Sequence, residues 1–130
     1  KIPAFIITEN GKLIKNFNPE YYSDFFGQKN IDRTSIFIML ENLGWVQKNP
    51  LNNKYMNWVG NIYNGEVYEK KWRGRSFWST YGDKQIEVCG RLISELCNKF
   101  NINKDLIGHS VKVDDVNKFN GITSKGNYNE

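Results

Sequence analysis

Thr34-Ser35-Ile36-Phe37-Ile38-Met39-Leu40-Glu41 is the stretch on which the fold turns. It is short, almost continuously apolar and bounded by polar residues. That is the pattern of a strand covered on both faces. It is therefore expected to be the central strand of a sheet, with Asn42-Leu43-Gly44-Trp45 leading the chain out of it. Upstream, residues 2–8 are apolar and β-branched, and residues 12–17 alternate polar and apolar. Asn10-Gly11 between them supplies the positive φ of a tight turn, which predicts a hairpin. Asn18-Pro19-Glu20 places an N-cap residue before a proline at the first helical position. A short helix is predicted there over 20–26, ending at Gly27.

Downstream, residues 83–100 carry the clearest helical signal. Ile86, Cys89, Ile93, Leu96, Cys97 and Phe100 fall within an arc of about 100°, with Leu92 beside it. Asp83 near the start and Lys99 near the end suit the helix macrodipole. This stripe reads as a core face. A mixed sheet centred on 34–41 with this helix packed on it gives an α/β class: a mixed central β-sheet flanked by helices. Residues 46–82 read as loop-rich, with a small hairpin over 61–68 turning at Asn64-Gly65. Residues 111–130 are polar and Gly-rich, with no helix or strand expected. A length of 130 residues suits one domain with one core.

The net charge of +4, from 18 Lys and Arg against 14 Asp and Glu, favours an anionic partner without choosing one. No apolar run of about 18 residues exists, so no membrane span is expected. Lys1-Ile2-Pro3-Ala4-Phe5 lacks the look of a secretory leader. Cys89 and Cys97 lie on one helix with Cα atoms about 12 Å apart at the helical rise. A disulfide needs less than about 7 Å, so these read as buried thiols. Lys70, Lys71, Arg73 and Arg75 surround Trp72, with Phe77 and Trp78 following. Exposed aromatics of this kind stack on sugars or bases, while buried ones fold over the edge of a core.

The single histidine, His109, stands in Ile107-Gly108-His109-Ser110. Asp114 and Asp115 follow closely and would add an oxygen ligand, giving two ligands where zinc needs three or four. No Gly-x-Ser-x-Gly, Gly-rich phosphate loop or Cys-x-x-Cys occurs. Taken alone, these residues describe an α/β domain with one candidate metal ligand.

Read in order, the motifs say more. Ala4-Phe5-Ile6-Ile7, Asn10-Gly11, Gly27, Asp32, Ser35 through Gly44, Tyr81 with Gln85, and Ile107-Gly108-His109-Ser110 resemble the zinc-dependent N-acetylmuramoyl-L-alanine amidases of the peptidoglycan-recognition-protein and phage-lysozyme-like fold. The resemblance spans residues 2–110. It implies a zinc ion held by an early-strand His, by the Gly-His residue and by a later Asp or Cys. That metal polarises the lactyl amide carbonyl and activates water. A Glu on the central strand, or a Tyr, manages the water's proton, and a Lys before the last ligand stabilises the oxyanion.

Carried over by position, His109 is the zinc ligand. The first His would lie before Lys1, and no Asp-Pro-Gly-like stretch occurs before Glu130. The family's hairpin-strand aromatic or His position holds Pro3-Ala4. The central-strand Glu falls at Met39; Glu41, two residues on and so on the same strand face, is the candidate base. Trp45, Trp72 and Trp78 are candidates to line the glycan–peptide groove. The expected function is zinc-dependent cleavage of the amide between N-acetylmuramic acid and L-alanine in peptidoglycan, at the cell wall, extracellularly or on a phage particle. The chain then reads as a single amidase-like domain, 1–130, without its first strand and its C-terminal ligand loop. The alternative is a divergent module that binds wall material without cutting it. Nucleic-acid binding through Lys70–Arg75 ranks last, because the basic cluster is short and the total charge modest.

Overall fold

The computed structural model describes residues 1–109 and 111–128. It combines mixed and antiparallel sheets with two helices, and is richer in strand than in helix. Strands β1 (Phe5–Ile7), β2 (Leu13–Lys15) and β3 (Ile38–Leu40) form one sheet in the order β2-β1-β3. β1 runs antiparallel to β2 and parallel to β3. The β1–β2 turn closes as expected: Gly11 sits at φ 84°, its N–H donates to the Thr8 carbonyl, and the Thr8 hydroxyl accepts from the Lys12 N–H. The chain crosses to β3 through a one-turn helix, α1 (Lys29–Asp32). The long helix α2 (Asp83–Phe100) covers β1. Ala4, Phe5, Ile7, Leu92 and Leu96 form the buried centre between them, with Ile36, Ile38 and Leu40 packed against it.

The apolar stretch around β3 is therefore an edge strand, and β1 is central. Phe37 faces away from Ile36 and Ile38 into a second buried cluster of Ile31, Val116 and Tyr128. Met39, one pleat further, is 41% exposed. Both faces are covered at Phe37 and only one at Met39, a distinction that a continuous apolar run does not reveal.

The helix predicted over 20–26 is absent. The Asn18 side-chain oxygen accepts the Glu20 N–H, and the Asn18 carbonyl accepts the Tyr21 N–H. These are the bonds of an N-cap and a single turn, and no helical ladder continues from them. Gly27 has φ 88° but caps no helix. The N–H groups of Phe26 and Gly27 donate to the fully buried Asp32 carboxylate at 2.7 and 3.0 Å.

The stretch read as loop-rich holds the larger sheet. Strands β4 (Trp45–Lys48), β5 (Tyr55–Met56), β6 (Ile62–Tyr63), β7 (Val67–Trp72) and β8 (Arg75–Ser79) lie antiparallel in the order β6-β5-β4-β8-β7. The hairpin predicted over 61–68 does not form, because β6 pairs with β5 and β7 with β8. Asn64-Gly65 only links the two. The β7–β8 turn is made by Arg73 and Gly74, both at positive φ (48° and 75°), the geometry that matches strand twist. Asn42 joins the two sheets. Its Oδ1 accepts from the Gly44 N–H and the Ser79 hydroxyl, and its Nδ2 donates to the Thr80 carbonyl.

α2 occupies its expected span, but Ile86 lies outside the core face at 55% exposed. Gln85, Leu92, Leu96 and Cys97 are the buried set. Both cysteines are free, and burial pushes the Cys89 thiol above its ordinary value. A thiol held neutral in this way is a poor nucleophile. At neutral pH the folded protein should react with an aromatic disulfide reagent far more slowly than the urea-unfolded chain. Rapid reaction of both thiols in the folded protein would contradict their packing. No helix among the described residues is long and apolar enough to cross a membrane.

The tail is not structureless, as its composition suggested. Residues Val116–Lys118 and Lys125–Asn127 form 3-10 turns, and Leu106 bridges Ile122. Tyr128 is buried with its ring 4.7 Å from that of Phe26.

Candidate functional site

Trp45, at the start of β4, stands directly opposite Trp78 on β8. Directly paired residues share a face of the sheet, so both indoles lie on one side. Val46 and Phe77, paired next to them, occupy the other. The β7–β8 ladder shifts register between Glu69 and Trp72, with one more residue on β7 than on β8. An extra residue of this kind re-aims the strand that carries it. The Trp72 ring reaches 5.2 Å from that of Trp78, inclined by 58°. Trp78 is fixed in turn by its Nε1–H, which donates to the Lys70 carbonyl at 2.8 Å. The Arg75 guanidinium lies 3.9 Å above the Trp45 ring and that of Arg73 4.7 Å from the Trp72 ring. Both are within cation–π range.

His109 arrives at this face from a distant part of the chain. It is exposed, and its ring lies 6.0 Å from that of Trp72. The loop that carries it is held by Asn127, which is fully buried. The Asn127 Nδ2 donates to the carbonyls of Gly108 and Val111, at 2.8 and 2.9 Å. Its Oδ1 accepts from the Ser124 N–H at 2.7 Å. Sequence reasoning missed Asn127. The one available signal was the Ser124-x-x-Asn127 spacing of a reciprocal cap, which is present here on a 3-10 turn.

The structure thus brings together Trp45, Trp72, Trp78 and His109. Glu41 is elsewhere. Its Oε2 accepts the Glu9 N–H at 2.9 Å, beside a shallow hollow lined by Thr8, Asn10 and Lys12. Among the described residues no hydrogen bond or ring contact joins Glu41 to His109 or to the tryptophans. The geometry gives it the work of tying β3 to the β1–β2 turn.

A zinc ion needs at least three convergent protein ligands. Among the described residues no group of three or more His, Cys, Asp or Glu side chains has that arrangement. The described neighbour of His109 is an indole, and Asp115 pairs with Lys118 at 3.1 Å. Ser110, beside His109, lies outside the described residues. The donors described do not fit a zinc centre.

What the face offers is a set of half-buried indoles edged by two guanidinium groups and an imidazole. Indole faces pack on the apolar sides of flat rings, and guanidinium groups pair with carboxylates. Comparison of the chain with protein-family models, with curated proteins and with solved structures returns no match.

Proposed function

We propose that this domain binds peptidoglycan, with the Trp45, Trp72 and Trp78 face as the seat of the glycan strand. The single observation that carries the reading is the convergence of these three indoles with His109, from three strands and a distant loop, on one face. Sugar rings stack on the indoles, and Arg73 and Arg75 suit the carboxylates of the stem peptide. The resemblance of the ordered motifs to the amidases supports the substrate class, an amidase-like fold and a site of action at the cell wall or on a phage particle.

The same resemblance supports a second reading, hydrolysis of the bond between N-acetylmuramic acid and L-alanine. That reading needs metal ligands beyond His109, because the described donors do not form a zinc centre. Binding takes precedence because it needs only residues that the described structure assembles.

Sedimentation with purified cell walls tests both. Wild-type protein should pellet with walls. Trp72→Ala and Trp78→Ala should each weaken binding about tenfold, as loss of one anchoring indole does. Unchanged pelleting of both variants would overturn the binding face. Release of free L-alanine amino ends from the walls on adding zinc would establish the hydrolytic reading. Binding that instead follows single-stranded nucleic acid, with a steep dependence on salt, would replace both.

A further inference from the structure

Beyond the Trp45 end of this face, we infer that a second saccharide subsite lies at the β5–β6 turn, with Trp58 as its stacking platform. The inference rests on the reading of the Trp45 face as a glycan-binding surface, which it extends by one subsite. A hollow of about 370 Å³ is lined by Trp45, Gln47, Asn49, Met56, Asn57 and Trp58, among others. Its volume lies within the range of small-ligand sites. Trp45 and Gln47 are two residues apart on β4 and so share a face, and Met56 stands directly opposite Gln47 on β5. The floor of the hollow therefore continues the Trp45 side of the sheet.

Trp58 rises from the turn that closes one end. It is 63% exposed, so it fills no core. The turn beneath it is firmly built. The Asn57 Oδ1 accepts from the N–H groups of Val59 and Asn61, at 3.1 and 2.9 Å. The backbone closes it again, with Asn57 N–H donating to the Asn61 carbonyl and Gly60 N–H to that of Asn57. An exposed indole on a stiff turn is already positioned to stack, so little ordering opposes binding. The Gln47 side-chain amide can both donate and accept, the pairing that sugar hydroxyl and acetamido groups require. Asn49 braces the hollow, its Oδ1 accepting the Leu51 N–H at 2.9 Å and its Nδ2 reaching the Met56 sulfur at 3.8 Å. No carboxylate lines the hollow to repel an acidic wall sugar. Trp45 belongs to both the face and the hollow, so one strand of sugars crossing Trp45 would reach Trp58.

The test is calorimetric titration of the whole chain with peptide-free N-acetylglucosamine oligomers, a disaccharide and a tetrasaccharide. Wild-type protein should bind the tetrasaccharide about tenfold more tightly than the disaccharide. Trp58→Ala should abolish that gain and leave disaccharide binding intact, while Trp58→Phe should retain most of it. A length-dependent gain that persists in Trp58→Ala would overturn the subsite. The face itself fails separately: wild-type protein that binds neither oligomer, or disaccharide binding untouched by Trp72→Ala, would overturn the underlying reading and the subsite with it.

Discussion

Replacing Gln85 with Glu is expected to cost about 3–5 kcal/mol of stability at neutral pH, and part of that cost should vanish in acid. Gln85 is fully buried in the first turn of α2. Its Nε2 donates to the Ile7 carbonyl at 3.0 Å and to the Glu41 carbonyl at 2.8 Å. The Ile7 carbonyl also receives the Glu41 N–H at 2.9 Å. One side chain thus stitches the ends of the parallel strands β1 and β3 to the helix above them. A carboxylate there has no hydrogen to give and faces two carbonyl oxygens. The helix N-terminus would favour the charge by about 2 kcal/mol at most, which is too little to reverse the sign.

Burial and the two carbonyls raise the folded pKa of that new Glu above its unfolded value of about 4.3. A raised folded pKa means that the protonated form suits the fold. The deficit relative to wild type is therefore smallest below about pH 4 and grows as pH rises through the folded pKa. Gln85→Leu keeps the volume, loses the two Nε2 hydrogen bonds and also removes the buried, unpartnered Oε1, which should cost about 2 kcal/mol at most with no such pH dependence. Urea unfolding of the three proteins at neutral and acid pH separates these effects. A Glu variant as stable as wild type at neutral pH would mean that Gln85 does not hold the strands together.

The parts of the fold that were legible in the sequence are those that local physics decides. Asn10-Gly11 can close a tight turn between apolar strands in few ways, and the hairpin formed there. Eighteen residues with one apolar face make α2 legible, although Ile86 shows that the edge of such a stripe is not its centre. The five-stranded sheet was illegible because β5 and β6 are two residues long, too short for any alternation to register. Its turns also used unexpected residues, since Asn57 closes one through its side chain and Arg73 adopts positive φ in another. The site divides in the same way. The aromatic–basic cluster around Trp72 was visible as composition. Its union with Trp45 needed the β4–β8 pairing, and its union with His109 needed the packing of the tail, and neither is encoded locally.

That packing leads to the second large effect, at Asn127. Asn127→Ala is expected to destabilise the protein by about 2–3 kcal/mol and to free His109 from Trp72. The substitution leaves the carbonyls of Gly108 and Val111 without their donor and the Ser124 N–H without its acceptor, in part-buried bonds made by a fully buried side chain. Asn127→Asp separates the two ends of the side chain. It keeps an acceptor for Ser124 but has no donor for the loop, so it should release His109 while keeping the 3-10 turn. The direct readout is the imidazole proton resonance of His109, displaced in wild type by the ring current of Trp72 at 6.0 Å. Trp72→Ala gives the reference position, and both Asn127 variants should move toward it. The Asn127 hydrogen bonds go to Gly108, Val111, Val113 and Ser124 and not to the strands of the three indoles, so wall binding should fall far less than in Trp72→Ala. If it fell equally, the tail would be supporting the whole face and not only the loop of His109. If the histidine resonance did not move at all, Asn127 would not be what holds that loop against the tryptophans.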